Sequence, residues 1–275
     1  MEFLSLTFYA FSGLLNFVTS IILILIILIK NPRPLANRIF VLFMSMVGFW
    51  SLFYFLWLTT QDRELVDFYL RTCMLGVVFM PSTFIHFVVS LLKQNATPFT
   101  NQKLNNKSLF IMNYLISAFL ATTVYTPLFA KEGGSFNVFP YWAIAGPLLS
   151  LHLTHFFFNF LYAFYLMLYS IRRSQGIFRN QVLYLFIGIT IGVLAGVPNY
   201  FYWFRIPIPP FLNIFVSLGV SFITYGIIKF RLMEINIVFK KGTVYALGLL
   251  LVLVPTYIIL LWTQNLFFNT INVSY

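Results

Sequence analysis

Ionised side chains are scarce in this 275-residue sequence. It has six Asp and Glu residues and only 8% charged residues in all, where soluble domains carry about 25%. The charges that exist are concentrated between long uncharged runs: Phe3 to Ile29, Ile39 to Gln61, Thr72 to Leu92, Ser108 to Ala130, Gly133 to Ile171, Asn180 to Phe204, Ile206 to Ile228 and Gly242 to Tyr275. Each run is long enough to cross a bilayer core, which takes about 20 apolar residues. The scarcity of charge excludes a water-soluble core. One membrane domain is expected, with no cytosolic or external domain of ordinary size.

Cysteine is nearly absent too. The single Cys73 excludes an internal disulfide and a cysteine metal cluster. It is expected at the start of a span, where no cationic or helix-end neighbour activates it. The N-terminus, Met-Glu-Phe-Leu-Ser-Leu, lacks the basic region of a signal peptide, and no small-residue cleavage site follows. The first span is therefore expected to stay in the mature protein. None of the six acids (Glu2, Asp62, Glu64, Asp67, Glu132 and Glu234) falls inside an expected span. Proton pumps and many ion-coupled transporters use intramembrane acids, so their absence argues against those functions. The same ground argues against a retinal protein, because Lys229 closes the seventh span with no buried acid as counter-ion.

What is present is hydrophobicity: 60% of the residues are apolar, with 35 phenylalanines spread along every span to face lipid or pack between helices. The expected architecture is all-α, a polytopic membrane bundle. Its spans are Phe8–Ile29, Ile39–Thr59, Thr72–Leu92, Ser108–Leu128, Gly146–Ile171, Val182–Phe204, Phe211–Ile228 and Thr243–Trp262. The turn-rich stretch Gly133 to Trp142 reads as loop. Short loops imply antiparallel neighbours. Two of the loops, Asn31 to Asn37 and Arg205 to Pro210, are stiffened by prolines.

The sequence has a net charge of +11, but its basic residues sit beside spans, which favours anionic lipid headgroups and argues against nucleic acid. Thirteen Lys and Arg residues fall in one alternating set of loops, among them Arg33, Lys103, Arg179 and Lys240. Only four, Arg63, Arg71, Lys131 and Arg205, fall in the other. The positive-inside rule then places the N-terminus outside a cell inner (plasma) membrane and, with eight spans, the C-terminus outside as well. Tyr141, Trp142, Tyr200, Tyr202 and Trp203 cluster near the outer ends of spans 5 and 6, where an aromatic belt is expected.

Three histidines fall within spans: His86, His152 and His155. His152 and His155 share a helix face. His86 sits deeper than His155 by roughly 9 Å at ~1.5 Å per residue, which argues against one metal or haem site using all three and favours interhelical hydrogen bonding. No cofactor is expected. Asn16, Asn159, Asn199 and Asn213 read as helix–helix glue, each pair worth roughly 0.6 kcal/mol. Asn159 and Asn199, beside the aromatic cluster, could instead line a ligand pocket; with His155 and Trp203 they are the candidate ligand-binding residues. Pro81 and Pro198 are candidate kinks that free carbonyls or create cavities.

Three stretches carry a resemblance. The first runs from Ile223-Thr-Tyr-Gly-Ile-Ile228 into Lys229-Phe-Arg-Leu-Met-Glu-Ile235 and on to Tyr245. The second is Asn37 to Trp50, through Asn37, Phe40 and Trp50. The third is Arg71 to Gly76 with Phe79, Pro81, His86 and Phe87. Their order and spacing resemble the N-terminal seven-helix sensor region of bacterial membrane histidine kinases over about residues 10–245. The resemblance implies a region that receives an external or membrane signal and passes it to a cytoplasmic kinase. Residues 1–242 would form that seven-span region, and residues 243–275 an eighth transmembrane helix and tail. The segment beginning Lys229, Arg231 and Glu234 would relay the signal. No phosphoacceptor histidine on a soluble helix and no glycine-rich ATP lid is present in these residues, so autophosphorylation by this chain alone is excluded on chemical grounds. The expectation is a sensor without its enzyme, either stand-alone or the product of a truncated or split gene. Its partners would be membrane lipids and a cytoplasmic kinase or a second copy of the chain. A small-molecule or lipid transporter or channel is the alternative; it would show a continuous polar path or an internal repeat. A membrane-embedded enzyme would need clustered acids or metal ligands.

Overall fold

The computed structural model describes residues 2–94 and 107–230, and the expected eighth span, Thr243–Trp262, lies outside them. The helices are α1 Glu2–Lys30, α2 Leu35–Thr59, α3 Arg63–Gln94, α4 Lys107–Thr123, α5 Pro147–Arg173, α6 Gly176–Gly196, a short α7 Asn199–Trp203 and α8 Phe215–Phe230. A 3-10 turn over Phe211–Ile214 leads into α8. Among the described residues five helices are long and apolar enough to cross a membrane: α1, α2, α3, α5 and α6 extended through Trp203. The chain is a multi-pass membrane helical bundle.

The distribution of side chains is that of a body solvated by hydrocarbon. Helix α5 buries Leu149, His152, Phe156, Asn159, Phe160, Ala163 and Met167, a stripe at helical spacing. Its opposite face exposes Phe158, Leu161 and Tyr165. The large polar side chains of α5, His152, His155 and Asn159, point inward and its outer face is mainly apolar, because an unpaired polar group costs several kcal/mol in lipid. Helix α3 is the central column, 78% buried over its apolar window, and packs against α2, α4 and α5.

Inside the bundle the polar side chains pair across helices. Ser82 Oγ meets Ser117 Oγ at 2.8 Å and donates to the Asn113 carbonyl at 2.9 Å, while Ser117 also reaches the Val78 carbonyl at 2.7 Å. This seam joins α3 to α4 in the turns around Pro81, where the proline interrupts helical bonding. Asn213 ties α1 to the turn before α8: it donates to Ser12 Oγ at 2.8 Å, and its carbonyl accepts from Asn16 Nδ2 at 2.9 Å.

Several boundaries differ from the sequence reading, each for a local reason. Helix α3 begins at Arg63 rather than Thr72, because the Asp62 carboxylate caps it, accepting from the Glu64 and Leu65 amides at 2.9 and 3.2 Å. Helix α4 stops at Thr123. The sixth span divides into α6 and α7 at Val197-Pro198, since proline has no amide to continue the ladder.

The stretch Gly133 to Trp142 is not a loop. It lies in an antiparallel hairpin, β1 Ala130–Phe136 and β2 Phe139–Ala145, the one sheet among the described residues. Asn137 makes the turn with φ of 51°, a conformation asparagine tolerates. A Cβ on Gly133 would lie 1.9 Å from the Trp142 carbonyl oxygen, so only glycine lets the strands approach there. Phe139 and Trp142 are buried, and they stack around Trp57, with ring centroids at 5.9 and 4.7 Å. The expected aromatic belt therefore turns inward: Trp142, Tyr202 and Trp203 are 1%, 0% and 3% exposed.

A partly buried ion pair fastens the hairpin to α3. Arg71 Nε donates to Asp67 Oδ2 at 2.7 Å, Arg71 Nη1 donates to the Ala130 carbonyl at 2.7 Å, and Tyr141 Oη donates to Asp67 Oδ1 at 2.6 Å. Burial, and then the bond to Asp67, raise the Tyr141 pKa above that of an ordinary phenol. The pair lies at the hairpin end of α3, before the uncharged run that starts at Thr72. From the other side, Arg205 Nη2 donates to the Trp142 carbonyl at 3.1 Å and lies 5.0 Å from the Phe136 ring centroid.

Replacing Asp67 by Asn leaves the buried Arg71 without its counter-charge. The expected result is a loss of about 1.5–3 kcal/mol, read by thermal unfolding in detergent, with faster tryptic cleavage after Lys131. Unchanged stability and cleavage would show that the latch does not hold the hairpin.

Candidate functional site

Helix α6 carries glycines at four-residue intervals, Gly188, Gly192 and Gly196, all on one face. Such spacing lets membrane helices approach backbone to backbone. A Cβ on Gly219 of α8 would lie 2.5 Å from the Gly188 oxygen, and one on Gly188 would lie 2.7 Å from the Gly219 oxygen. At that point the two backbones are in contact, with the Ile223 side chain packed beside Gly188. The contact reaches the Gly192 backbone, whose nitrogen a Cβ on Gly219 would meet at 3.0 Å. A Cβ added at Gly192 or Gly196 meets no atom within 4 Å.

The space that opens is a cavity of about 110 Å³. Its walls come from α2, α3, α5, α6, α7, α8 and β2. On α2, Trp50, Tyr54 and Trp57 fall on one face, and Cys73 and Met74 of α3 and Phe156 and Phe160 of α5 line the cavity with them. Trp142 and Trp203 complete an aromatic lining, so four of the chain's five tryptophans border one cavity. No lining residue is an acid, lysine, arginine or histidine.

The residues singled out from the sequence separate here. Asn199 and Trp203 line the cavity; Asn159 and His155 do not. Asn159 Nδ2 donates within its own helix to the His155 carbonyl at 2.8 Å. His155 Nε2 donates to Asn113 Oδ1 at 2.9 Å, joining α5 to α4. His152 Nε2 pairs with Tyr200 Oη at 2.9 Å, and His86 Nδ1 with Tyr114 Oη at 3.1 Å. The three histidines therefore have three separate partners on other helices, as the hydrogen-bonding reading expects. Lys229 lies in the last turn of α8, while Arg231 and Glu234 fall outside the described residues.

Four polar atoms on cavity-lining residues find no hydrogen-bond partner among the described residues: Tyr54 Oη, Trp57 Nε1, Trp142 Nε1 and Asn199 Oδ1. Their residues are 2%, 2%, 1% and 8% exposed. Sequence reasoning located only Asn199 of these. The glycine spacing on α6 was the legible signal for the rest, since it marks where backbones come close and where room remains.

The long helices, the inward-turned polar residues and the helix-enclosed cavity define a polytopic membrane bundle with an internal site. The comparisons place it more narrowly. A family model described as the N-terminal 7TM region of histidine kinase matches residues 14–236 of the 275. The chain belongs to that family. No curated protein and no solved structure matches it.

The crossing of α6 and α8 can be separated experimentally from the cavity. Gly219→Ala or Gly188→Ala should cost about 1–3 kcal/mol through overpacking, measured by thermal unfolding in detergent. Gly196→Ala should be neutral or stabilising. Equal effects at all three positions would refute the close crossing.

Proposed function

We propose that this chain is the signal-receiving membrane module of a histidine-kinase system. In this reading a guest in the cavity favours one of two packings of α6 against α8. One observation carries the proposal: the cavity is walled by the same two helices that touch at Gly188 and Gly219, and α8 runs on to Lys229. A guest that wedges the walls apart must pivot α8 about that contact or leave it strained. The segment beginning Lys229, Arg231 and Glu234 then moves at the membrane face. A kinase reads that movement, whether in another chain, in a second copy or further along the polypeptide. The balance shifts only by the guest's differential affinity for the two packings; a tenfold preference is worth about 1.4 kcal/mol.

The orientation in this proposal follows the basic residues. Lys30, Arg33, Arg38, Lys93, Lys107, Arg172, Arg173 and Arg179 lie in or beside the connections α1–α2, α3–α4 and α5–α6. That end of the bundle is cytoplasmic, and the N-terminus and hairpin are outside an inner (plasma) membrane. Residues 1–242 act as the sensing unit, and residues 243–275 add a further span.

Two measurements test this. In a Cys73→Ala background, cysteines at Arg179 and at Gly134 should react with impermeant thiol reagents from opposite sides of the membrane; same-side labelling refutes the topology. For the signal, spin labels at Lys229 and Arg173 report the position of α8 against α5. Gly196→Phe, which fills the cavity in place of a guest, should shift their distance distribution by a few ångströms. An unchanged distribution in a folded variant would sink the proposed coupling.

A further inference from the structure

The cavity has a chemical signature that narrows its guest. Charge is excluded: no ionised side chain borders the cavity, and an unpaired ion in a low-dielectric interior is expensive. The size suits a single ring. A volume of about 110 Å³ compares with ~10–15 Å³ for one water and ~150 Å³ for an engineered cavity that takes benzene. The lining is largely aromatic on the α2 and α5 sides, while on the α6 side glycines alternate with Ile189 and Val193, which leaves room for a flat body.

The unpaired polar atoms set the sign of the hydrogen bonding. Trp57 Nε1 and Trp142 Nε1 can only donate, Tyr54 Oη can donate, and Asn199 Oδ1 alone can only accept. A ring face is a weak acceptor for an indole N–H, so the edge-to-face contact of Trp57 with Trp142 does not replace a true partner. Donors are in excess around a mainly apolar space. All four atoms are fully buried, so meeting a guest takes a side-chain rotation at the wall.

We propose that this cavity binds a small neutral carbonyl compound, a ring-sized apolar body with a ketone-type oxygen. The body packs between Phe156, Phe160 and the Gly192–Gly196 wall. The oxygen accepts from Tyr54, Trp57 or Trp142 at the hairpin end. The inference rests on the reading of this cavity as the signal-receiving site, and it names the chemistry that site selects.

The test uses the full chain in phospholipid nanodiscs and ligand-observed fluorine NMR, with empty nanodiscs as the partition reference. Two probes differ only in the acceptor: 4-fluoroacetophenone and 4-fluoroethylbenzene. The wild-type chain should hold the ketone about tenfold more tightly than the hydrocarbon, as one or two hydrogen bonds allow. Tyr54→Phe should narrow that preference, and Trp57→Phe with Trp142→Phe should narrow it to about twofold. Gly196→Val, which adds bulk where a Cβ meets nothing, should weaken both probes tenfold or more. Equal affinity of the two probes for the wild-type chain overturns the proposal, as does the absence of protein-dependent ketone binding; neither outcome depends on a variant folding. Ketone binding with α8 unmoved would leave this inference standing and sink the sensing function. A moving α8 without ketone binding would do the reverse.

Discussion

A polar atom in the membrane-spanning part of this chain is costly unless it finds a partner within the protein, because lipid offers none. That constraint decides which face of each helix turns inward. On α5 it brings His152, His155 and Asn159 into the bundle and leaves Phe158 and Leu161 outside. It draws Ser82, Asn113 and Ser117 into one seam between α3 and α4, and Asn213 into another between α1 and the turn before α8. Pairs of this kind are individually weak, ~0.6 kcal/mol on average in a membrane. Their number and placement fix register more than they add stability. Of the buried side-chain atoms without a partner among the described residues, those of Tyr54, Trp57, Trp142 and Asn199 belong to residues that line the cavity, while others, among them Asn16 Oδ1, His152 Nδ1 and Ser170 Oγ, lie elsewhere in the bundle.

Small residues do the opposite work. Gly188 and Gly219 let two backbones meet, and the same four-residue spacing leaves Gly192 and Gly196 facing open space a turn or two further on. A single run of glycines therefore supplies both a pivot and a cavity wall. This link between contact and cavity makes the site suited to signalling, because whatever occupies the wall acts close to the crossing.

The spans were readable from the sequence because charge marks their ends, and the family phrases at Asn37 to Trp50, Arg71 to Phe87 and Ile223 to Lys229 lie on α2, α3 and α8. The described helices follow the expected spans to within one turn at most ends. Two of the departures have a local backbone cause that outweighed hydropathy. The Asp62 cap lengthened α3 by nine residues into charged sequence, and Pro198 divided the sixth span. The hairpin was hidden because its register depends on a contact distant in sequence, Arg71 with Ala130, and on a bulged pairing that breaks strict alternation. Of the candidate ligand residues, Asn199 and Trp203 border the cavity while Asn159 and His155 serve their own helix and α4. Depth along a helix can be read from sequence; which neighbour a side chain meets cannot.

The length of α3 has a consequence of its own. At ~1.5 Å per residue its 32 residues reach about 48 Å, well beyond a hydrocarbon layer of about 30 Å. Tilt absorbs part of the excess. The remainder carries Arg63, Glu64, Asp67 and Arg71 past the greasy layer as a stalk, and the hairpin is riveted to that stalk instead of trailing from a tether. A push on the sheet from the aqueous side is thus a torque on the most deeply enclosed column of the molecule.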